Sequence, residues 1–163
     1  MTDREFFLQT IEDELPRFEK VFKALPADKL DYTPHPKSRT AMQIVDAMTA
    51  MEACTFSTFL KTGALDFATL KPGNYKNTDE AWAAFKESLT DAKQIASGMS
   101  EADWASPSTM SMGGKNEWTT TKGAMALGLL FDLIHHRGQL SVYIRPMGGT
   151  VPSIYGPSGD SEG

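Results

Sequence analysis

Cysteine is almost absent from this 163-residue chain: there is one, Cys54. A single thiol excludes an internal disulfide framework and any cysteine-built zinc cluster, and it suits a reducing compartment. Histidine is nearly as scarce, with His35, His135 and His136 the three examples. Basic charge is also short. Sixteen Lys+Arg stand against 21 Asp+Glu, for a formal net charge of -5, which argues against a broad basic surface for nucleic acid. No run approaches the ~18–20 uninterrupted apolar residues of a membrane span. The opening MTDREFFLQTIEDELPRFEK carries acids where a secretory signal carries an apolar run. There is no Gly-rich phosphate loop and no GxSxG nucleophile motif. The expectation is a cytoplasmic protein that engages neither nucleic acid nor membrane. At roughly 100–200 residues per domain, residues 1–163 form one domain with its own core.

What the chain does have is helical periodicity. Phe7, Ile11, Leu15, Phe18 and Phe22 recur at spacings of three and four, predicting a helix from about Thr2 to Ala24. Pro16 falls inside it, where a lost N–H and a crowded carbonyl predict a kink or break. A Pro-bounded loop with His35 and Tyr32 follows. A second helix opens near Ser38 to Thr40, which offer caps, and carries Ala41, Ile44, Met48 and Met51 on a broad apolar face. The third runs from Thr78 to about Gly98. Gly113-Gly114, between Ser106–Met112 and Lys115–Thr119, is a hairpin signal. The fourth helix, about Thr121 to Arg145, is apolar on nearly all faces. It is expected to be the most buried, covered by neighbours on several sides. Four helices with at most one hairpin make an all-α four-helix bundle.

The dense polar group inside that last helix is Asp132, His135, His136, Arg137 and Gln139. Asp132 and His136 stand one turn apart on one face. A carboxylate and an imidazole at that spacing begin a site for zinc, nickel or iron(II), though two ligands do not close one. The same residues equally suit a buried hydrogen-bonded network. Glu52 and Asp46 are expected to pair with the cations Arg137 and Arg145. Cys54 is expected to be a small buried apolar residue, the three tryptophans core or rim residues, and His35 exposed.

HHRGQLSVYIRPMGG (His135 to Gly149) with VPSIYGPSGD (Val151 to Asp160) resembles the end of a DinB-like protein, and HPKSRTAMQIVDAM (His35 to Met48) resembles the start of that family's second helix. The resemblance implies an up-down-down-up bundle, a homodimer, and a zinc or nickel site of three histidines. One of these comes from helix two and two come from helix four. Carried over residue by residue, the helix-two histidine falls on Ala47, the others on Asp132 and His136. One histidine of three is retained. Asp132 and His136, with His135 as an alternative donor, would then hold a divalent metal weakly or not at all. The pocket is expected to remain as a small-molecule cleft lined by Ala47, Met51, Asp132 and His136. Two readings stay open: a binding or structural protein with a degenerate metal site, and a metal-dependent enzyme of the thiol-dependent transferase or isomerase kind.

Overall fold

A computed structural model describes residues 1–115 and 117–162. Four helical units make a bundle: α1 (Asp3–Ala24), a broken second helix over residues 41–62, α4 (Thr78–Gly98) and α6 (Lys122–Ile144). The second unit is α2 (Ala41–Asp46), a π-helical turn (Ala47–Glu52), a 3-10 turn (Ala53–Thr55) and α3 (Phe56–Thr62). A short helix α5 (Glu101–Trp104) follows α4. The core is aromatic and dense. Phe7, Phe18, Phe22, Phe56, Phe59 and Phe85 are fully buried, and rings of α1 meet those of α4, with Phe18 and Phe85 centroids 4.9 Å apart.

The termini follow their sequence signals. Thr2 and Thr40 each form a reciprocal capping box, with Glu5 and Gln43 as partners. Gly63, at φ 71°, ends α3 in the left-handed conformation. The break expected at Pro16 does not occur, and α1 runs unbroken. Pro16 and Glu12 are both exposed, so the carbonyl that loses its partner faces water.

The fold is not purely helical. A three-stranded sheet of order β1-β2-β3 caps one part of the bundle. β2 (Pro107–Ser111) and β3 (Trp118–Thr121) are the two arms of an antiparallel hairpin. Gly113 and Gly114 both have positive φ, and Met112 and Lys115 exchange backbone hydrogen bonds across them, as a tight two-residue turn requires. Asn116, inside the expected second run, lies outside the described residues. β1 (Ala64–Asp66) adds parallel to β2 and was not foreseen. It is three residues long, and it is recruited where Gly63 turns the chain back, its carbonyl accepting from Thr109 N–H.

The tail docks by Val151 and Ile154, which pack against the core, and by its polar atoms. Tyr155 Oη lies 2.6 Å from Arg137 Nη2 and donates to Glu14 Oε2 at 2.9 Å. Glu14 and Arg137 are an ion pair buried between α1 and α6. Arg145 pairs with Asp160 of the tail. The pairing of Glu52 and Asp46 with these arginines is therefore not found. Asp46 Oδ1 instead accepts the N–H groups of Gly73 and Asn74. Cys54 is exposed rather than buried, its Sγ accepting from Ser88 Oγ at 3.2 Å. Trp82 and Trp104 are buried, Trp118 is exposed on β3, and His35 is exposed. No described helix is long and apolar enough to cross a membrane.

Candidate metal centre

The second helical unit starts regularly, then widens. Ala53 N–H reaches back to the Met48 carbonyl, five residues away. In an α-helix, residues five apart point about 140° away from each other. A π turn, closed by bonds to the fifth residue, brings them onto one face. Ala47 and Glu52 accordingly stand on the same side, and both line one cavity.

Across that cavity, α6 supplies Asp132 and His136. His136 Nε2 lies 3.2 Å from Glu52 Oε1 and 3.8 Å from Asp132 Oδ2. One donor atom from each of the three falls within 4.8 Å of the others. Glu52 is buried, His136 is largely buried, and Asp132 is exposed at the rim. The ring of His136 is held from behind, with Nδ1 2.8 Å from Gln139 Oε1. Gln139 Nε2 in turn lies 2.8 Å from His135 Nε2. With the amide oxygen accepting, His136 carries its proton on Nδ1 and turns Nε2 toward the carboxylates.

Burial pushes the Glu52 carboxyl above its usual range, against the hydrogen bond from His136. The hydrogen bond to Glu52 raises His136, against its own burial. Both directions agree on one physical state: a proton held between Glu52 Oε1 and His136 Nε2. The other oxygen, Glu52 Oε2, is buried and has no hydrogen-bond partner among the described residues. A buried carboxylate oxygen left so carries a desolvation cost that a cation would offset. Two carboxylates and an imidazole, with the imidazole already oriented by a neighbouring amide, fit a divalent metal.

The cavity measures about 640 Å³. Arg39, Ala47, Met51, Asp132, His136 and Gln139 are in its wall. A second cavity of about 580 Å³ shares Arg39, Ala47 and Met51 with it and extends to Met42 and Tyr75. Arg39 is the only lysine or arginine in the first wall among the described residues.

The structure thus brings Ala47, Met51, Asp132 and His136 to one cleft. His135 does not join the converging donors. It is exposed and engaged with Gln139. Glu52 is the residue that sequence reasoning missed as a donor. Its signal was a carboxylate on an otherwise apolar helix face, five residues beyond Ala47.

A model described as the DinB family matches residues 1–161. No curated protein matches. Among solved structures, a DinB-like protein from Bacillus cereus superposes with a TM-score of 0.69 at 21% identity, covering 93% of this chain and 97% of that one. A DinB-like protein from Bacillus subtilis gives 0.68 at 17% identity, covering 90% and 95%. YfiT from Bacillus subtilis, described as a probable metal-dependent hydrolase with an unusual four-helix bundle topology, gives 0.67 at 14% identity, covering 89% and 87%.

Proposed function

The chain belongs to the DinB family, and on that premise we propose that Glu52, Asp132 and His136 hold a divalent cation and that the protein activates a small nucleophile in the cavity beside Arg39. The observation that carries this reading is the buried, unpartnered Oε2 of Glu52, set next to an imidazole nitrogen and a second carboxylate. A divalent cation there supplies Lewis-acid activation of a water or a thiol near neutral pH. The reaction class is hydrolysis or thiol-dependent group transfer. That YfiT is described as a probable metal-dependent hydrolase supports the first of these.

The remaining roles belong to the chain's own residues. Gln139 fixes the ring and tautomer of His136. Arg39 offers a guanidinium to an anionic group of a bound molecule. Met51, Ile44 and Phe67 line the cavity with apolar surface and limit water. The donor set is richer in oxygen than three histidines. It shifts the preference from zinc or nickel toward manganese or iron(II), and binding is weaker than in a three-imidazole site.

One observation favours a second reading. His136 and Glu52 already satisfy each other at 3.2 Å without a cation, which suits a binding protein that needs no metal. Thermal melts of the untagged protein with zinc, nickel and manganese separate the two. The first reading expects a melting temperature that rises with metal concentration, and no such rise in Glu52→Gln or His136→Gln. Melts of the parent that ignore all three ions leave the binding-protein reading standing.

A further inference from the structure

The two cavities meet at a short partition. Arg39, Ala47 and Met51 stand in both walls. Of the three, Ala47 brings the least bulk, a single methyl group. The first cavity carries the carboxylates and the imidazole of the centre. The second, about 580 Å³, has none of them and is bounded by Met42, Pro72 and Tyr75. Asp46 is its one carboxylate, and Oδ1 is already taken by the N–H groups of Gly73 and Asn74. Each volume lies in the range of small-molecule sites.

The outer wall of the second cavity is a shaped loop. Asn74 stands at φ 55°, the only non-glycine residue with positive φ among the described residues. Such a conformation persists where the surroundings over-determine it, and it collects at ligand clamps. Here the surroundings are Asp46 Oδ1, which accepts from Gly73 and Asn74 at 2.9 and 3.0 Å. Gly73 has a reason of its own, since an added Cβ would fall 2.4 Å from the Tyr75 ring. Its bareness lets that ring fold back across the loop and face the cavity. Burial pushes the Tyr75 phenol up, so the ring is a neutral wall.

The charges in the walls indicate what binds. Arg39 is the only lysine or arginine in either wall among the described residues. Its backbone carbonyl accepts from Tyr143 Oη, but its guanidinium makes no ion pair or hydrogen bond to a described residue. An unpaired guanidinium between a polar cavity and an apolar one calls for an anion at the junction, and a carboxylate matches its fork.

We propose that the second cavity seats an apolar arm of the substrate, and that the substrate is a carboxylic acid with its carboxylate on Arg39. The arm lies on one side of the partition, over Ala47 and Met51. The reacting group lies on the other side, toward Glu52, Asp132 and His136, a direction that rests on the function proposed above. Arg39 and the second cavity then select the substrate, and the centre acts on it.

Straight-chain acids from butyrate to decanoate are the probes, measured by calorimetry on the untagged protein in EDTA. No cation takes part, so the result does not depend on the metal reading. Affinity should rise about 2–4-fold with each added methylene, as for an arm entering an apolar cavity. The alcohol of the same length should bind at least about 10-fold more weakly. Arg39→Gln should remove most of that difference and keep the dependence on length. Tyr75→Ser should flatten the dependence on length and leave butyrate unchanged. Met42→Asn, on the helix facing the loop, should do the same, which guards against a loop that merely unfolds. Acids that bind only with added zinc, or equally well in Arg39→Gln, overturn the place of the carboxylate. Affinity that ignores chain length, or a length dependence that survives both Tyr75→Ser and Met42→Asn, overturns the second cavity as the seat of the arm. Acid binding as expected, in a parent whose melt ignores every metal, leaves the subsite standing and removes the metal reading alone.

Discussion

Binding of a divalent cation should expel a proton, and the count should depend on pH in a way fixed by Glu52 and His136. Gln139 keeps a proton on His136 Nδ1, so only Nε2 can become a ligand. That nitrogen shares its proton with Glu52 Oε1 at 3.2 Å. Both groups are raised, Glu52 from an ordinary value of 4.5 by burial and His136 from 6.5 by its bond to Glu52. The folded state therefore binds protons more tightly than the unfolded chain. Without metal, the contribution of this pair to stability is full below pH 4.5 and falls as pH rises, until it passes the raised value of His136. The cation gains over the same range. Below the folded pKa of His136, each pH unit upward should raise its affinity about tenfold, or about 1.4 kcal/mol. Titration calorimetry in two buffers of different ionisation enthalpy reads the proton count directly. About one proton per ion is expected near pH 6, falling toward zero at high pH. Glu52→Gln removes both the donor and the main cause of the raised imidazole, so affinity and proton release should fall together. Metal binding with no proton release and no pH dependence would place the ion somewhere other than His136 Nε2.

Two further outcomes follow from the packing. Arg137→Met leaves Glu14 buried with only Arg17 and Tyr155 as partners, and denaturant unfolding should show a loss of about 3 kcal/mol, most of it regained in Glu14→Gln/Arg137→Met. Gly123→Ala forces a methyl group into the Trp104 indole and should lower stability by about 1–3 kcal/mol in a thermal melt, whereas the same substitution at Gly128 should raise it in the dilute protein.

Much of the bundle was legible because apolar spacing is a local signal. The Phe7–Ile11–Phe18–Phe22 stripe, the threonine caps and the Gly113-Gly114 turn each state their geometry within a few residues. The π turn does not. AMTAME contains no breaker, and a pattern read at 3.6 residues per turn sends Ala47 and Glu52 to different faces. That is why Asp132 and His136 were recognised as partners while Glu52 was assigned to the arginines. Arg137 and Arg145 were themselves claimed by Glu14, 123 residues away, and Asp160, 15 residues on across a turn of the tail, approaches that no helical spacing encodes. β1 failed for the opposite reason: three residues are too few to show alternation. The uniform apolarity of α6 was read as burial by the bundle, although one seam of it faces outward.

The Glu14–Arg137 pair has a consequence for how the molecule is made. Its two halves are 123 residues apart. At about 5–20 residues per second, a ribosome delivers the arginine roughly 6–25 s after the glutamate. During that interval Glu14, a carboxylate that the finished protein buries, has only Arg17 of its own helix to pair with, and the Phe18 face of α1 has neither α6 nor, at first, α4 to cover it. Early docking of α1 would bury Glu14 without its α6 partner, a cost that disfavours closed packing of α1 until the fourth helix arrives. Closure of the α1 face is thereby tied to the last helix of the bundle rather than to the first.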